Sequence, residues 1–145
     1  MEMSRALEQL ETMHRAVLGT YKRDGSPQLS PVVCVLAEEG RLLISTRETA
    51  MKVRNLRRDP RVVLCVFSDG FYGPWLQVEG RAEIIALPEA MEGLVSYYRS
   101  LAGEHPDWDE YRQAMIDQGK CLIRIHVERW GPVATGGFPP RLADG

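Results

Sequence analysis

Short apolar runs separated by tight-turn residues constrain this chain more than any other feature. Runs 14–21 and 28–37 flank Lys22-Arg23-Asp24-Gly25-Ser26-Pro27. Asp-Gly between two such runs signals a hairpin, because the turns that match strand twist need positive φ. Glu38-Glu39-Gly40 turns the chain into a third run, 41–46. A fourth spans 61–68, and Asp69-Gly70-Phe71-Tyr72-Gly73-Pro74 turns it into a fifth, 75–87, where Gly80 marks a bulge or bend. The last run is 120–129. Strands joined mainly by hairpins predict an antiparallel meander. Segments 32–36 and 62–67 read as buried on both faces, which fits a small closed barrel with helices packed outside it. Closure also removes exposed edges. A parallel doubly wound sheet is disfavoured, since strands and helices do not alternate regularly. The expected class is mainly β, a β-barrel with flanking helices.

Helical period appears in four places. Residues 4–13 put Ala6, Leu7 and Leu10 on one side, with Ser4 as N-cap. A basic helix fills the gap before Pro60. Pro88 suits the first position of a helix running to Ala102, with Gly103 as its stop. Asp107 and Glu110 have capping-box spacing for a helix closed by Gly119. A Gly/Pro-rich tail occupies 130–145, and the whole chain, 1–145, reads as one domain.

Composition removes several functions. A net charge of −2 argues against broad nucleic-acid binding. No apolar run reaches the roughly 20 residues of a membrane span, and the N-terminus lacks a signal-peptide core. Cys34, Cys65 and Cys121 each sit in an apolar run, so reduced, buried thiols in a cytoplasmic protein are expected. His14, His105 and His126 have no metal-ligand spacing. There is no Gly-x-Ser-x-Gly elbow, Walker loop or dinucleotide fingerprint. If the chain is an enzyme, a bound cofactor carries the hard chemistry.

The basic helix offers such chemistry. Ser45 and Thr46 end a strand, and Lys52-Val53-Arg54-Asn55-Leu56-Arg57-Arg58-Asp59-Pro60-Arg61 follows. Free N–H groups at a helix start and the macrodipole both favour an anion there. With Thr46 or Thr49 as N-cap, Lys52 falls in the first turn and adds an ammonium. The alternative is an ordinary solvated amphipathic helix, with Val53 and Leu56 facing the core. Arg57, Arg58 and Arg61 either attract an acidic ligand or simply complement the helix C-terminus.

Three segments carry a family resemblance: 41–46, the basic segment 52–61, and Val78-Glu79-Gly80-Arg81-Ala82. With the opening hairpin, they resemble the pyridoxamine 5′-phosphate oxidase-like split β-barrel superfamily. Segments 98–105 and 107–115 are similar to its actinobacterial branch that uses the deazaflavin coenzyme F420. The resemblance implies a six-stranded antiparallel split barrel of the FMN-binding type and a homodimer with cofactor grooves between subunits. Ser45, Thr46 and Lys52 would meet the cofactor phosphate. Gln28 and Ser30 would lie along the ring, with Trp75 close by. Many relatives have a basic residue two positions before the lysine. This chain has Ala50, and Arg47 is the candidate replacement. The implied activity is F420-dependent hydride transfer to a conjugated organic small-molecule substrate. The alternatives are an FMN-dependent oxidoreductase and a non-catalytic flavin or deazaflavin carrier. Phe71, Tyr72, Trp130 and Phe138 are candidate pocket walls.

Overall fold

A computed structural model of the chain describes residues 3–70 and 72–135. Phe71, Phe138 and the end of the tail lie outside the described residues. The element order is α1 (Met3–Leu10), β1 (Arg15–Tyr21), β2 (Pro27–Val33), β3 (Val35–Leu36), β4 (Arg41–Arg47), α2 (Met51–Arg58), β5 (Arg61–Phe67), β6 (Pro74–Ile85), α3 (Met91–Ala102), α4 (Trp108–Asp117) and β7 (Lys120–Thr135). The strands form one antiparallel sheet in the order β2-β1-β5-β6-β7-β4-β3.

The sheet has seven strands, not the expected six, and the extra one comes from the second run. That run breaks at Cys34. Its first half pairs with β1 and its second with β4, so the two edge segments of the curled sheet are consecutive in the chain. The backbone at this seam is satisfied locally. The Cys34 N–H donates to the His14 carbonyl at 2.7 Å, and His14 Nδ1 lies 3.0 Å from the Cys34 carbonyl. Tyr97 on α3 donates its hydroxyl to the Val33 carbonyl at 2.9 Å. The hairpin between β1 and β2 closes as expected, with the Lys22 N–H on the Ser26 carbonyl and Gly25 at φ 87°.

Leu18, Leu42, Ile44, Leu64, Val66, Leu76, Val78, Ile123 and Ile125 fill the interior, and α1 adds Ala6 and Leu10. A second cluster joins α3 and α4 to the sheet through Leu94, Val95, Tyr111, Met115 and Leu122. Gly80 sits at a register shift between β6 and β7. A Cβ there would lie 2.1 Å from the His126 carbonyl oxygen, so only glycine lets the two strands approach.

Several boundaries differ from the sequence reading. The first helix ends at Leu10, because the Thr12 N–H turns back to the Gln9 carbonyl and Met13 drops into the core. Pro88 lies in a turn before α3, where the Met91 N–H takes the Pro88 carbonyl, so the helix starts at Met91. The last strand runs through Trp130 to Thr135. Gly131, at φ 98°, falls where the β6 ladder shifts register between Leu76 and Val78, so turn-forming residues are tolerated inside the strand.

Run 62–67 is not buried on both faces. Val62, Leu64 and Val66 are buried, whereas Cys65 is exposed and Val63 and Phe67 are half-buried. The same alternation holds on β2, where Leu29 and Val33 are 67% and 43% exposed. Cys34 and Cys121 are buried free thiols, pushed up by burial to about 12 and about 11 respectively, but Cys65 faces outward. No helix among the described residues is long and apolar enough to cross a membrane.

Candidate functional site

A groove of about 650 Å³ opens beside the seam. The end of β4 contributes Ser45 and Thr46, α2 contributes Lys52, and β2 contributes Pro31, Val32 and Val33. Ala16, Arg15, Phe67 and Tyr97 complete it. Thr46 is buried, and Ser45 and Lys52 are half-buried.

Neither Thr46 nor Thr49 caps α2. The N-cap is Ala50, in extended backbone, and no side chain bonds the helix start. Residue 50 thus offers neither a basic group nor a capping oxygen. The Met51 and Lys52 amides keep their capacity for an outside acceptor, whereas the Ala50 and Val53 N–H groups donate to the Arg47 and Ala50 carbonyls. Lys52 stands in that first turn and makes no ion pair among the described residues. Two hydroxyls, one ammonium and an uncapped helix start form a donor set suited to a phosphate. This chemistry fits a phosphate-bearing cofactor.

The other expected site residues are placed differently. Gln28 and Ser30 share with Val32 the face of β2 that pairs with Thr20, Leu18 and Ala16, so they extend the groove wall along the strand without lining the groove itself. Gln28 is held by Asn55 of α2, whose Nδ2 donates to Gln28 Oε1 at 2.9 Å and Thr20 Oγ1 at 3.1 Å. Arg47 is exposed at the end of β4, opposite Lys120. Trp75 pairs with Phe67 on the outer face of the sheet, outside the groove lining. Tyr72 is exposed, and Trp130 packs against the main core cluster.

The cations at the end of α2 are engaged by the protein. Arg57 reaches both Glu48 carboxylate oxygens at 3.3 and 3.1 Å. Arg58 donates to the Tyr21 carbonyl at 2.8 Å and to Asn55 Oδ1 at 3.1 Å. Arg61 pairs with Asp59 at 2.7 Å, which holds the Asp59 carboxyl down at about 2.

Sequence reasoning missed Tyr97 and Asn55. Tyr97 lies between this groove and a second one of about 480 Å³, and Ser45 is also shared by both. Burial pushes the Tyr97 phenol up to about 12, with the Ser45 backbone acting in the opposite direction. The second groove runs between α3, α4 and the sheet, past Tyr98, His105, Tyr111, Met115 and Lys120. Tyr98, His105, Trp108 and Tyr111 pack with ring centroids 5.0–5.7 Å apart. His105 also accepts the Asp107 N–H at 2.9 Å, and Asp107 caps α4 through the Glu110 N–H at 3.1 Å. A polar residue at the inward position of a helix, as Asn55 is, was the available signal for that residue. Tyr97 had none beyond helical period.

A curled antiparallel sheet with flanking helices and a groove at its seam has the architecture of a split barrel. The pyridoxamine 5′-phosphate oxidase family model matches residues 3–134, and the chain belongs to that flavin-binding family. Among solved structures, the conserved hypothetical protein Rv2991 from Mycobacterium tuberculosis is 26% identical with a TM-score of 0.73, over 90% of this chain and 82% of that one. A protein described as an F420 reductase is 22% identical with a TM-score of 0.65, over 90% and 98%. A putative pyridoxamine 5′-phosphate oxidase from Listeria innocua is 17% identical with a TM-score of 0.63, over 88% and 94%. The last two show likeness of fold.

Proposed function

We propose that the protein is a homodimeric, F420-dependent reductase that passes a hydride to a conjugated organic substrate. The observation behind this reading is the convergence of Lys52, Ser45 and Thr46 at an uncapped helix start, beside the apolar wall of Pro31, Val32 and Phe67. The donor cluster takes the phosphate, and the β2 wall takes the flat ring. When bound, the reduced deazaflavin supplies the hydride, and the protein orients it and excludes water. The similarity of segments 98–115 to the deazaflavin branch supports F420 over FMN. The second groove suits the substrate, because its aromatic walls meet the first groove at Ser45 and Tyr97. Tyr97 serves as a wall and not an acid, since its proton is already committed to the Val33 carbonyl.

The homodimer reading rests on the outer face. Leu29, Pro31, Val33, Cys65, Phe67 and Trp75 leave one side of β2, β5 and β6 apolar and wholly or partly open. A second copy covering this face buries roughly 2,000 Å² or more. Light scattering checks it, and a stable monomer at micromolar concentration removes the dimer. Paired titrations with F420 and FMN check the cofactor, and tighter FMN binding overturns the choice. Anaerobic mixing of the reduced complex with enones, quinones and tetrapyrroles checks the reaction. Reoxidation no faster than that of free reduced cofactor makes the protein a carrier.

A further inference from the structure

We infer that Asn55 is a positioning residue that fixes which end of the Gln28 amide is free, so that the β2 wall presents a hydrogen-bond donor to an acceptor atom on a bound ring. The inference rests on the cofactor reading above for the ring, but the lock itself stands on four side chains. Arg58 is the fixed point. A guanidinium has only donors, and Arg58 is anchored to the Tyr21 carbonyl at 2.8 Å. The Asn55 atom that it meets at 3.1 Å must therefore be Oδ1. Asn55 is buried and has one orientation left, with Nδ2 toward Thr20 Oγ1 and Gln28. The Gln28 atom 2.9 Å from that donor must in turn be Oε1. What remains of Gln28 is its NH₂, which has no protein partner among the described residues.

The direction of the chain is set by a permanent charge, so it does not reverse with pH. Its placement suits the groove. Lys52 and Asn55 are three residues apart on α2 and lie on one side of it. Val32 and Gln28 lie on one face of β2. A ligand with its phosphate at Lys52 and its ring along β2 meets the Gln28 NH₂. A ring carbonyl or imine-type nitrogen is accepted there, and a ring edge carrying only N–H donors is rejected.

Two variants test this. In Asn55→Asp the residue facing Gln28 has acceptors only, so the Gln28 amide turns over and its carbonyl becomes the free end. In Gln28→Glu the bond from Asn55 survives, but the free end becomes a carboxylate oxygen, with no change to the buried helix face. The first measurement is side-chain amide NMR of Gln28 without ligand. The expected result is two rapidly exchanging Nε2 protons in the parent protein and a shifted, slowly exchanging one in Asn55→Asp. Identical Gln28 signals in both proteins overturn the lock. The second measurement is titration with F420 and with FMN. Each variant should lose roughly tenfold in affinity for the better ligand, the scale of one hydrogen bond turned against its partner. In a Gln28→Ala background, Asn55→Asp should cost less than about twofold, because its effect passes through Gln28. A Gln28 amide that turns over while affinity stays unchanged overturns the donor role. If neither cofactor binds the parent protein, the proposed function and the donor role fall together, while the NMR result still decides the lock.

Discussion

At the start of α2, Lys52 lies in the groove with no ion pair among the described residues. At its end, Arg57, Arg58 and Arg61 each have a protein partner within 3.3 Å. The charges are alike and belong to one ten-residue stretch, 52–61. What separates them is the carboxylates and carbonyls around them. Glu48, Asp59 and the Tyr21 carbonyl surround the last turn, whereas the groove beside the first turn is lined by Ser45, Thr46, Tyr97, Arg15 and apolar residues. A basic segment is therefore not uniformly a ligand site. One end is available for an anion, and the other fixes the helix to the barrel.

Each end can be tested separately. Lys52→Ala should give the largest effect on binding, a loss of about 1.5–3 kcal/mol for a phosphate-bearing cofactor, or about tenfold or more in affinity. Its melting temperature should stay unchanged, and calorimetry showing full affinity breaks the contrast. Arg58→Ala should mainly lower stability, by about 1 kcal/mol, because it releases the Tyr21 carbonyl and Asn55 Oδ1. Denaturant titration checks this, and a variant as stable as the parent shows the anchor to be idle. Arg57→Ala should cost less than about 0.5 kcal/mol and change cofactor affinity less than threefold, since its pair with Glu48 is largely exposed. A tenfold affinity loss there would put the last turn in the site after all.

The smallest effect is on pH. The Asp59 carboxyl is held down to about 2, chiefly by its hydrogen bond from the Arg61 side chain. A depressed folded value means that the stabilisation is present above the ordinary value of 3.8 and lost as pH falls toward about 2. NMR titration of the Asp59 carboxyl carbon should show a midpoint well below the ordinary value, and Arg61→Ala should restore it. The pair lies at the surface, with Arg61 exposed and Asp59 half-buried, so the stability change itself is small.

Much of the barrel was legible because its turns are made of residues with few other uses. Asp24-Gly25, Gly103 and Gly119 each stand where a positive φ was needed. The grouping of Ser45, Thr46 and Lys52 along one groove was legible as well, because a strand, a short loop and one helical turn bring them together. The strand count was not legible. Nothing local in Val32-Val33-Cys34-Val35 says that the chain changes partners at Cys34, since that depends on β1 and β4 being placed first. The exposure of Cys65 was hidden for a related reason. An apolar run has no polar residue to reveal which face is turned outward. Asn55 and Tyr97 act through residues 27 and 64 positions away, separations that no sequence window spans.

The seam at Cys34 has a mechanical consequence. Elsewhere, moving two neighbouring strands apart breaks a row of backbone bonds at once. At the junction of β2 and β3 the fasteners are few and come partly from side chains: the His14–Cys34 exchange and the Tyr97 hydroxyl. The passage at Cys34 from the β1 ladder to the β4 ladder therefore rests on three bonds, one of them carried by α3. A guest that parts β2 from β3 loads those three bonds first. The Tyr97 bond runs from α3 to the barrel, so α3, which walls the second groove, feels any spreading of the first.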